Sequence, residues 1–196
     1  MASKSLVIGI AGPTGIGKTE VALRLAKRLD GALISCDSAQ VFKYLNMGAN
    51  KYEPLPDDPP QHLVNILEPT ADFSAGSFLK TCIDTIIGVL SRNKVPILVG
   101  GTGFYFDWLI NGFPSAPVVS DSLIARIDET VKADESWDVS LERLRAVDAT
   151  YANSLLRNDY YRLTKAIAFH EEFGYPLSSC RRSTPPKLSE ANIDWR

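Results

Sequence analysis

GPTGIGKT, Gly12 to Thr19, is the stretch whose reading decides the fold. Before it stands the apolar run LVIGI, Leu6 to Ile10, and after it Thr19 to Leu29 places apolar residues at Val21, Ala22, Leu25 and Leu29. The run has the length and composition of a buried strand, and the spacing after it is that of an amphipathic helix. A glycine-rich turn carrying G-x-x-x-x-G-K-[ST] between a strand and a helix is a P-loop. Its glycines let consecutive backbone amides face an anion while the helix adds its positive end. Lys18 supplies a mobile cation for phosphate oxygens, and the Thr19 hydroxyl is placed to ligate Mg2+. Taken alone, the eight residues point to ATP.

Working outward, Ala32 to Ser35 reads as a second strand closed by Cys36-Asp37-Ser38, and Leu63 to Leu67 as another short apolar stretch. Between them Glu53 to Pro60, EPLPDDPP, is too proline-rich for regular structure. Phe78, Cys82, Ile83, Ile86 and Leu90 mark a helix running to about Arg92, followed by a strand at Pro96 to Val99 and the turn GGTG at Gly100 to Gly103. Strands alternating with helices imply an α/β fold: a parallel sheet with helices on both faces, in P-loop NTPase-like order. After Phe113-Pro114 the pattern becomes helical, with segments at Ser122 to Lys132, Leu141 to Val147, Tyr151 to Leu156 and Tyr160 to Phe173, the last stopped by Gly174. The expected organisation is an α/β core over 1–113, a small helical lobe over 114–177, and a tail over 178–196 with too few apolar residues in period to assign.

Composition sets the remaining bounds. The chain is 196 residues long, 45% hydrophobic and 22% charged, the balance of an ordinary globular protein. No apolar run approaches the roughly 20 residues of a membrane helix, and the P-loop begins too near Met1 for a targeting peptide before it. A cytoplasmic protein is the expectation. Cys36, Cys82 and Cys180 are scattered without C-x-x-C spacing, so buried reduced thiols are expected at Cys36 and Cys82 in place of a zinc site. The net charge of -2 carries no whole-chain signal for a polyanion, yet Arg157, Arg162, Lys165, Arg181, Arg182 and Lys187 exceed the acids between them. That excess is a weak nucleic-acid signature, equally compatible with a solvated helix face.

In a parallel sheet the strand C-termini share one edge, where ligands sit. Three turns converge there: the P-loop, DSAQ (Asp37 to Gln40) and GGTG. An ATPase or GTPase usually adds an acid at the end of an apolar strand to hold Mg2+, but here PILV runs into Gly-Gly-Thr. The acid is Asp37, beside Ser38 and Gln40. A carboxylate at a strand end holds metal water, acts as a general base, or caps the next helix, and spacing leaves all three open.

GPTGIGKT, CDSAQVFKYLNMGANK, PQHLVNIL, FSAGSF, PILVGGTGFYFDWLINGF and NDYYRLTKAIAFHEEFGYPLS occur in this order, and together they resemble the tRNA dimethylallyltransferase (isopentenyltransferase) family over most of Leu6 to about Ser179. The resemblance implies a different owner for the phosphates. Gly12, Pro13, Thr14, Gly15, Ile16, Gly17, Lys18 and Thr19 would hold the diphosphate of dimethylallyl diphosphate, with Thr19 on Mg2+. The acceptor would be N6 of the adenosine 3′ to the anticodon in tRNA, with Asp37 taking its proton and Lys18 and Thr102 stabilising the leaving diphosphate. Asp37, Ser38, Ala39 and Gln40 would meet an extruded adenine, and Arg162 and Lys165, on one helix face, the rest of the anticodon stem-loop. Leu163 and Ile167 would point into the core. No membrane partner is implied, and a monomer is expected.

The chain departs from the family pattern in several places. Gln61-His62-Leu63 stands where HHL is usual, and His62 is read as a structural, hydrogen-bonded histidine. Lys165 stands for an arginine and Ile124 for a basic residue. Family members normally continue well past Arg196, so a fragment, a shortened product or a diverged copy is expected. The competing readings are an adenylate isopentenyltransferase acting on free AMP, ADP or ATP, a small-molecule kinase, and a catalytically silent phosphate- or RNA-binding domain.

Overall fold

The computed structural model describes residues 4–196. In chain order the first elements are β1 (Ser5–Ala11), α1 (Lys18–Leu29), β2 (Gly31–Ser35), β3 (Gln61–His62), α2 (Ala75–Leu90), β4 (Val95–Gly100) and α3 (Gly103–Asn111). There follow β5 (Phe113–Pro114), α4 (Asp121–Ala133), α5 (Trp137–Val147), α6 (Ala149–Ser154), α7 (Tyr160–Phe173), β6 (Arg182–Ser183), α8 (Pro186–Glu190) and β7 (Ile193–Trp195). The chain divides into two compact units, 1–113 with 184–196, and 114–183.

The first unit is a five-stranded parallel sheet in the order β3-β2-β4-β1-β7, the α/β architecture expected from the sequence. Strand residues alternate between its two faces, as the two-residue period requires. Val7, Ile34 and Leu98 turn to one face, where Phe78, Cys82, Ile86 and Val89 of α2 and Tyr105, Phe106 and Leu109 of α3 bury them. Leu33 and Ile97 turn to the other face, against Ala22 and Ala26 of α1. Small residues on α1 let that helix lie close to the strands. Cys36 and Cys82 are buried free thiols, as expected, and burial together with the neighbouring Cys82 pushes the Cys36 thiol well up.

Three elements differ from the sequence expectation. Leu63 to Leu67 is not a strand: Leu63 (φ 61) and Asn65 (φ 55) are left-handed, and the chain turns after the two-residue β3. α3 has no counterpart in the sequence reading, because GFYFDWLIN is apolar on most sides and shows little periodic contrast. The segment from Pro186 onward forms α8 and then β7, which pairs with β1 in the register Ser5↔Ile193 and carries the ladder on through Arg196 N to Val7 O at 3.0 Å.

The second unit has its own core, in which Ile127, Val131, Trp137, Leu144, Ala152, Leu163 and Ile167 meet. Leu163 and Ile167 are buried as expected. Asp159 caps α7 by accepting from Arg162 N at 3.2 Å, and Gly174, at φ 75, ends the helix as its sequence position implies. The buried Asp148 accepts from Tyr151 N (3.0 Å), Ser178 N (2.8 Å) and the Ser178 hydroxyl (2.6 Å), fixing the chain after α7 to the start of α6. Among the described residues no helix is long and apolar enough to cross a membrane.

Candidate active site

The C-terminal ends of β1, β2 and β4 carry the three turns, and tight backbone packing locks two of them together. Cys36 N donates to Val99 O at 2.8 Å, Thr102 N to Cys36 O at 3.3 Å, and Ser38 N to the Thr102 hydroxyl at 3.3 Å. A Cβ on Gly100 would lie 2.0 Å from the Cys36 carbonyl oxygen, so this approach demands glycine. Gly101 stands nearest the P-loop, where a Cβ would lie 3.5 Å from Gly12 O.

The P-loop itself turns through two left-handed glycines, Gly15 (φ 85) and Gly17 (φ 91), the latter at the N-cap of α1. This conformation exposes successive amides at a helix N-terminus, the arrangement that binds phosphate. Lys18 Nζ reaches back across the loop and donates to Pro13 O at 2.7 Å.

A cleft of about 550 Å³ is lined by Thr14, Gly15, Gly17, Lys18 and Thr19 from the loop and helix, Asp37 and Gln40 from DSAQ, and Gly100 and Gly101 from GGTG. Gly12, Pro13, Ile16, Ser38, Ala39 and Thr102 are not on its wall; they shape the turns that form it. Arg162 and Lys165 belong to the second unit, both exposed. Arg162 pairs with Asp159 at 2.8 Å, and Lys165 donates to the Tyr161 hydroxyl at 2.6 Å with its ammonium 4.4 Å from the Tyr161 ring centre.

Asp37 divides its oxygens. Oδ1 accepts from Ala39 N at 2.9 Å and Gln40 N at 3.3 Å, an Asx-type turn that holds DSAQ in shape. Among the described residues no hydrogen bond reaches Oδ2. No helix follows, so Asp37 caps a turn and not the helix that spacing had left open, and its second oxygen stays unbonded on the cleft side of the loop. Gln40 is braced at both ends of its amide: Oε1 accepts from the Ser35 hydroxyl at 2.8 Å and Nε2 donates to Ala49 O at 3.2 Å.

Glu20, Leu23, Ala49, Asn50, Tyr52 and Val99 also line the cleft and were not singled out from the sequence. Leu23 follows Thr19 at i,i+4, the spacing of one helix face, a signal that could have found it. Tyr52 has no such signal, because its place depends on a distant acid. Its hydroxyl donates to Asp58 Oδ2 at 2.7 Å; Asp58 Oδ1 meets Lys27 of α1 at 2.8 Å, and Leu55 N donates to Oδ2 at 2.8 Å. The Asp58 side chain is 2% exposed, and Lys27, then Tyr52 and the Leu55 amide, hold its carboxyl down at about 2. This ties the proline-rich loop to the P-loop helix and sets the Tyr52 ring in the cleft wall.

His62 differs from the expectation of a hydrogen-bonded histidine. Its Nε2 is buried without a hydrogen-bond partner among the described residues, and burial, with Arg92 nearby, lowers its pKa.

A family model described as IPP transferase matches residues 40–195. The chain is 39% identical to tRNA dimethylallyltransferase 9 of Arabidopsis thaliana over 186 residues, covering 91% of this chain and 39% of the relative. It is 38% identical to a tRNA dimethylallyltransferase of Halorhodospira halophila, covering 94% of this chain and 60% of the relative. Among solved structures, a eukaryotic dimethylallyltransferase acting on tRNA superposes with a TM-score of 0.71 at 25% identity, over 98% of this chain and 48% of that one. The full-length tRNA isopentenylpyrophosphate transferase of Bacillus halodurans matches with a TM-score of 0.56 at 30% identity, over 89% of this chain and 57% of that one. The chain thus spans less than two thirds of the length of these relatives.

Proposed function

The chain belongs to the IPP transferase family, and on that premise we propose that it transfers a dimethylallyl group from dimethylallyl diphosphate to N6 of the adenosine 3′ to the anticodon in tRNA, as a monomeric cytoplasmic enzyme. One observation carries the reading: Asp37 spends one oxygen on the loop amides and keeps the other for a cleft that the phosphate loop also lines. The relatives named tRNA dimethylallyltransferase support transfer of a dimethylallyl group to tRNA. The glycines after Val99 support a diphosphate leaving group over water attack on phosphorus, which would call for an acid there.

In this mechanism the N6 lone pair forms a bond to allylic C1 while the C1–O bond breaks and its electrons leave with diphosphate. The N6 proton passes to Asp37 Oδ2. An adenine amine is a weak base, so removing its proton as the bond forms lowers the barrier, an effect typically of about 100-fold to 10,000-fold. The P-loop amides and Lys18, which exchanges the Pro13 carbonyl for phosphate oxygen, stabilise charge developing on the leaving group. Thr102 holds the DSAQ turn through Ser38 and offers its hydroxyl to the bridging oxygen. An adenine stacked in an anticodon loop is out of reach of such a cleft, so the base is extruded, with Ser38, Ala39 and Gln40 beside it and Arg162 and Lys165 on RNA phosphates.

Mg2+ fits this donor set as an ion carried with the diphosphate. Among the described residues no group of three or more His, Cys, Asp or Glu is arranged to hold a metal. Mg2+ is commonly held by one or two protein oxygens plus substrate phosphates, and the Thr19 hydroxyl on the cleft wall would supply such an oxygen. When bound, it neutralises charge on the leaving diphosphate.

The test is to incubate the chain with radiolabelled dimethylallyl diphosphate and either unmodified tRNA or AMP. Label is expected in tRNA and is expected to vanish in Asp37→Ala. Label entering AMP alone would assign the chain to free nucleotides, and label in neither would reduce it to a phosphate-binding domain.

A further inference from the structure

The loop that follows DSAQ combines two unfavourable features that ordinary folding would remove. Tyr44 is left-handed, at φ 64, a conformation that strains a bulky residue. The residue is also 76% exposed, beside Leu45 at 45% and Met47 at 97%. Three large apolar side chains therefore stand in water at one loop tip, on a strained backbone.

The base of that loop is firmly built. Lys51 Nζ donates to Phe42 O, to Asn65 Oδ1 at 2.7 Å and to Asn46 Oδ1 at 3.4 Å. Ala49 N returns to Leu45 O and Asn50 N to Met47 O, both at 3.3 Å, and Gln40 holds Ala49 O at 3.2 Å. Lys43 is engaged with Glu68 at 2.6 Å. The returning arm, Ala49 and Asn50, is a wall of the candidate active site. Met47 lies two residues before Ala49, so the chain keeps its Cα within about 7 Å of that wall.

We propose that Tyr44 and Met47 form a nucleobase platform at the mouth of the cleft, on which single-stranded bases flanking the acceptor adenosine stack. The inference rests on the RNA-acceptor reading above. Extruding one base exposes the faces of its neighbours, and aromatic or thioether surfaces are what such faces pack against. The two lysines flanking the tip are already engaged, Lys43 with Glu68 and Lys51 with Phe42 O and Asn65, which leaves stacking as the chemistry the tip has to offer. Three side chains are also too little surface for a stable protein partner, which needs roughly 800 Å² on each side.

The experiment compares wild type, Tyr44→Gly, Tyr44→Phe and Met47→Ala for binding of an unmodified tRNA anticodon stem-loop and for prenyl transfer to it, across a salt series. Tyr44→Gly is expected to keep or raise Tm, since glycine takes φ 64 without strain, while weakening stem-loop binding about 10-fold. Tyr44→Phe is expected to retain binding. The KM for dimethylallyl diphosphate and the slope of affinity against salt are expected to stay unchanged, because no phosphate contact is lost. Unchanged stem-loop binding in Tyr44→Gly, or a changed salt slope, would overturn the platform while leaving the acceptor reading intact. A dimer of wild type in light scattering that Met47→Ala dissolves would assign the tip to a second copy of the chain. Wild type that neither binds nor modifies the stem-loop would overturn both readings.

Discussion

The Thr102 hydroxyl accepts the backbone amide of Ser38 at 3.3 Å, joining the turn after β4 to the turn that carries Asp37. This side chain therefore adds to the backbone bonds that set the spacing between a candidate proton acceptor and a candidate leaving-group donor. Thr102→Ala is expected to lower Tm modestly, a lost hydrogen bond of about 0.5–1.5 kcal/mol, and to lower kcat for transfer more than it raises the KM for dimethylallyl diphosphate. Thr102→Ser keeps the hydroxyl and is expected to recover most of both, as thermal melts and steady-state kinetics will show.

Gly100 is the position least able to change. Its missing Cβ would overlap the Cys36 carbonyl at 2.0 Å, and that carbonyl also accepts the Thr102 amide. Gly100→Ala is expected to destabilise the first unit by about 4 kcal/mol or more, among the largest effects of a single substitution. Urea unfolding measures it; a loss under about 1 kcal/mol would show that the β2 and β4 ends can part without penalty.

Asp58 gives the fold an acid-sensitive link. Its carboxyl titrates at about 2 in the folded chain against 3.8 unperturbed, so the stability it contributes is present above about pH 4 and is lost as pH falls through about 2. Asp58→Asn is expected to be less stable than wild type at neutral pH, with the gap closing as pH approaches 2. Urea midpoints across that range test it, and a gap that stays constant would mean that the Lys27 and Tyr52 contacts contribute nothing that depends on charge.

Much of the architecture was legible because its signals are local. A strand, a glycine turn and an amphipathic helix stand in uninterrupted order from Leu6 to Leu29, and Gly174 stops α7 where a left-handed residue is needed. β7 was illegible because only three residues, Ile193, Asp194 and Trp195, form it, and their extended state comes from the free edge of β1. Leu63 to Leu67 is apolar enough for a strand, yet Leu63 is buried through a left-handed turn, which composition does not reveal. At the site, the P-loop, Asp37 and GGTG were readable as motifs. The wall formed by Tyr52 was not, since a buried acid, Asp58, and a lysine on another element, Lys27, hold it there. Gln40 was legible as a cleft residue, while the Ser35 and Ala49 contacts that fix its amide depend on the folded chain.

The central claim is that Asp37 Oδ2 takes the N6 proton. Its most direct test is the single-turnover rate of dimethylallyl transfer to unmodified tRNA by wild type and Asp37→Asn, measured beside their affinities for dimethylallyl diphosphate. Asparagine keeps an oxygen for the Ala39 and Gln40 amides but supplies no base, so the rate is expected to fall by about 100-fold to 10,000-fold with donor affinity within about twofold. Transfer by Asp37→Asn at the wild-type rate, or no transfer to tRNA by wild type, would contradict the account.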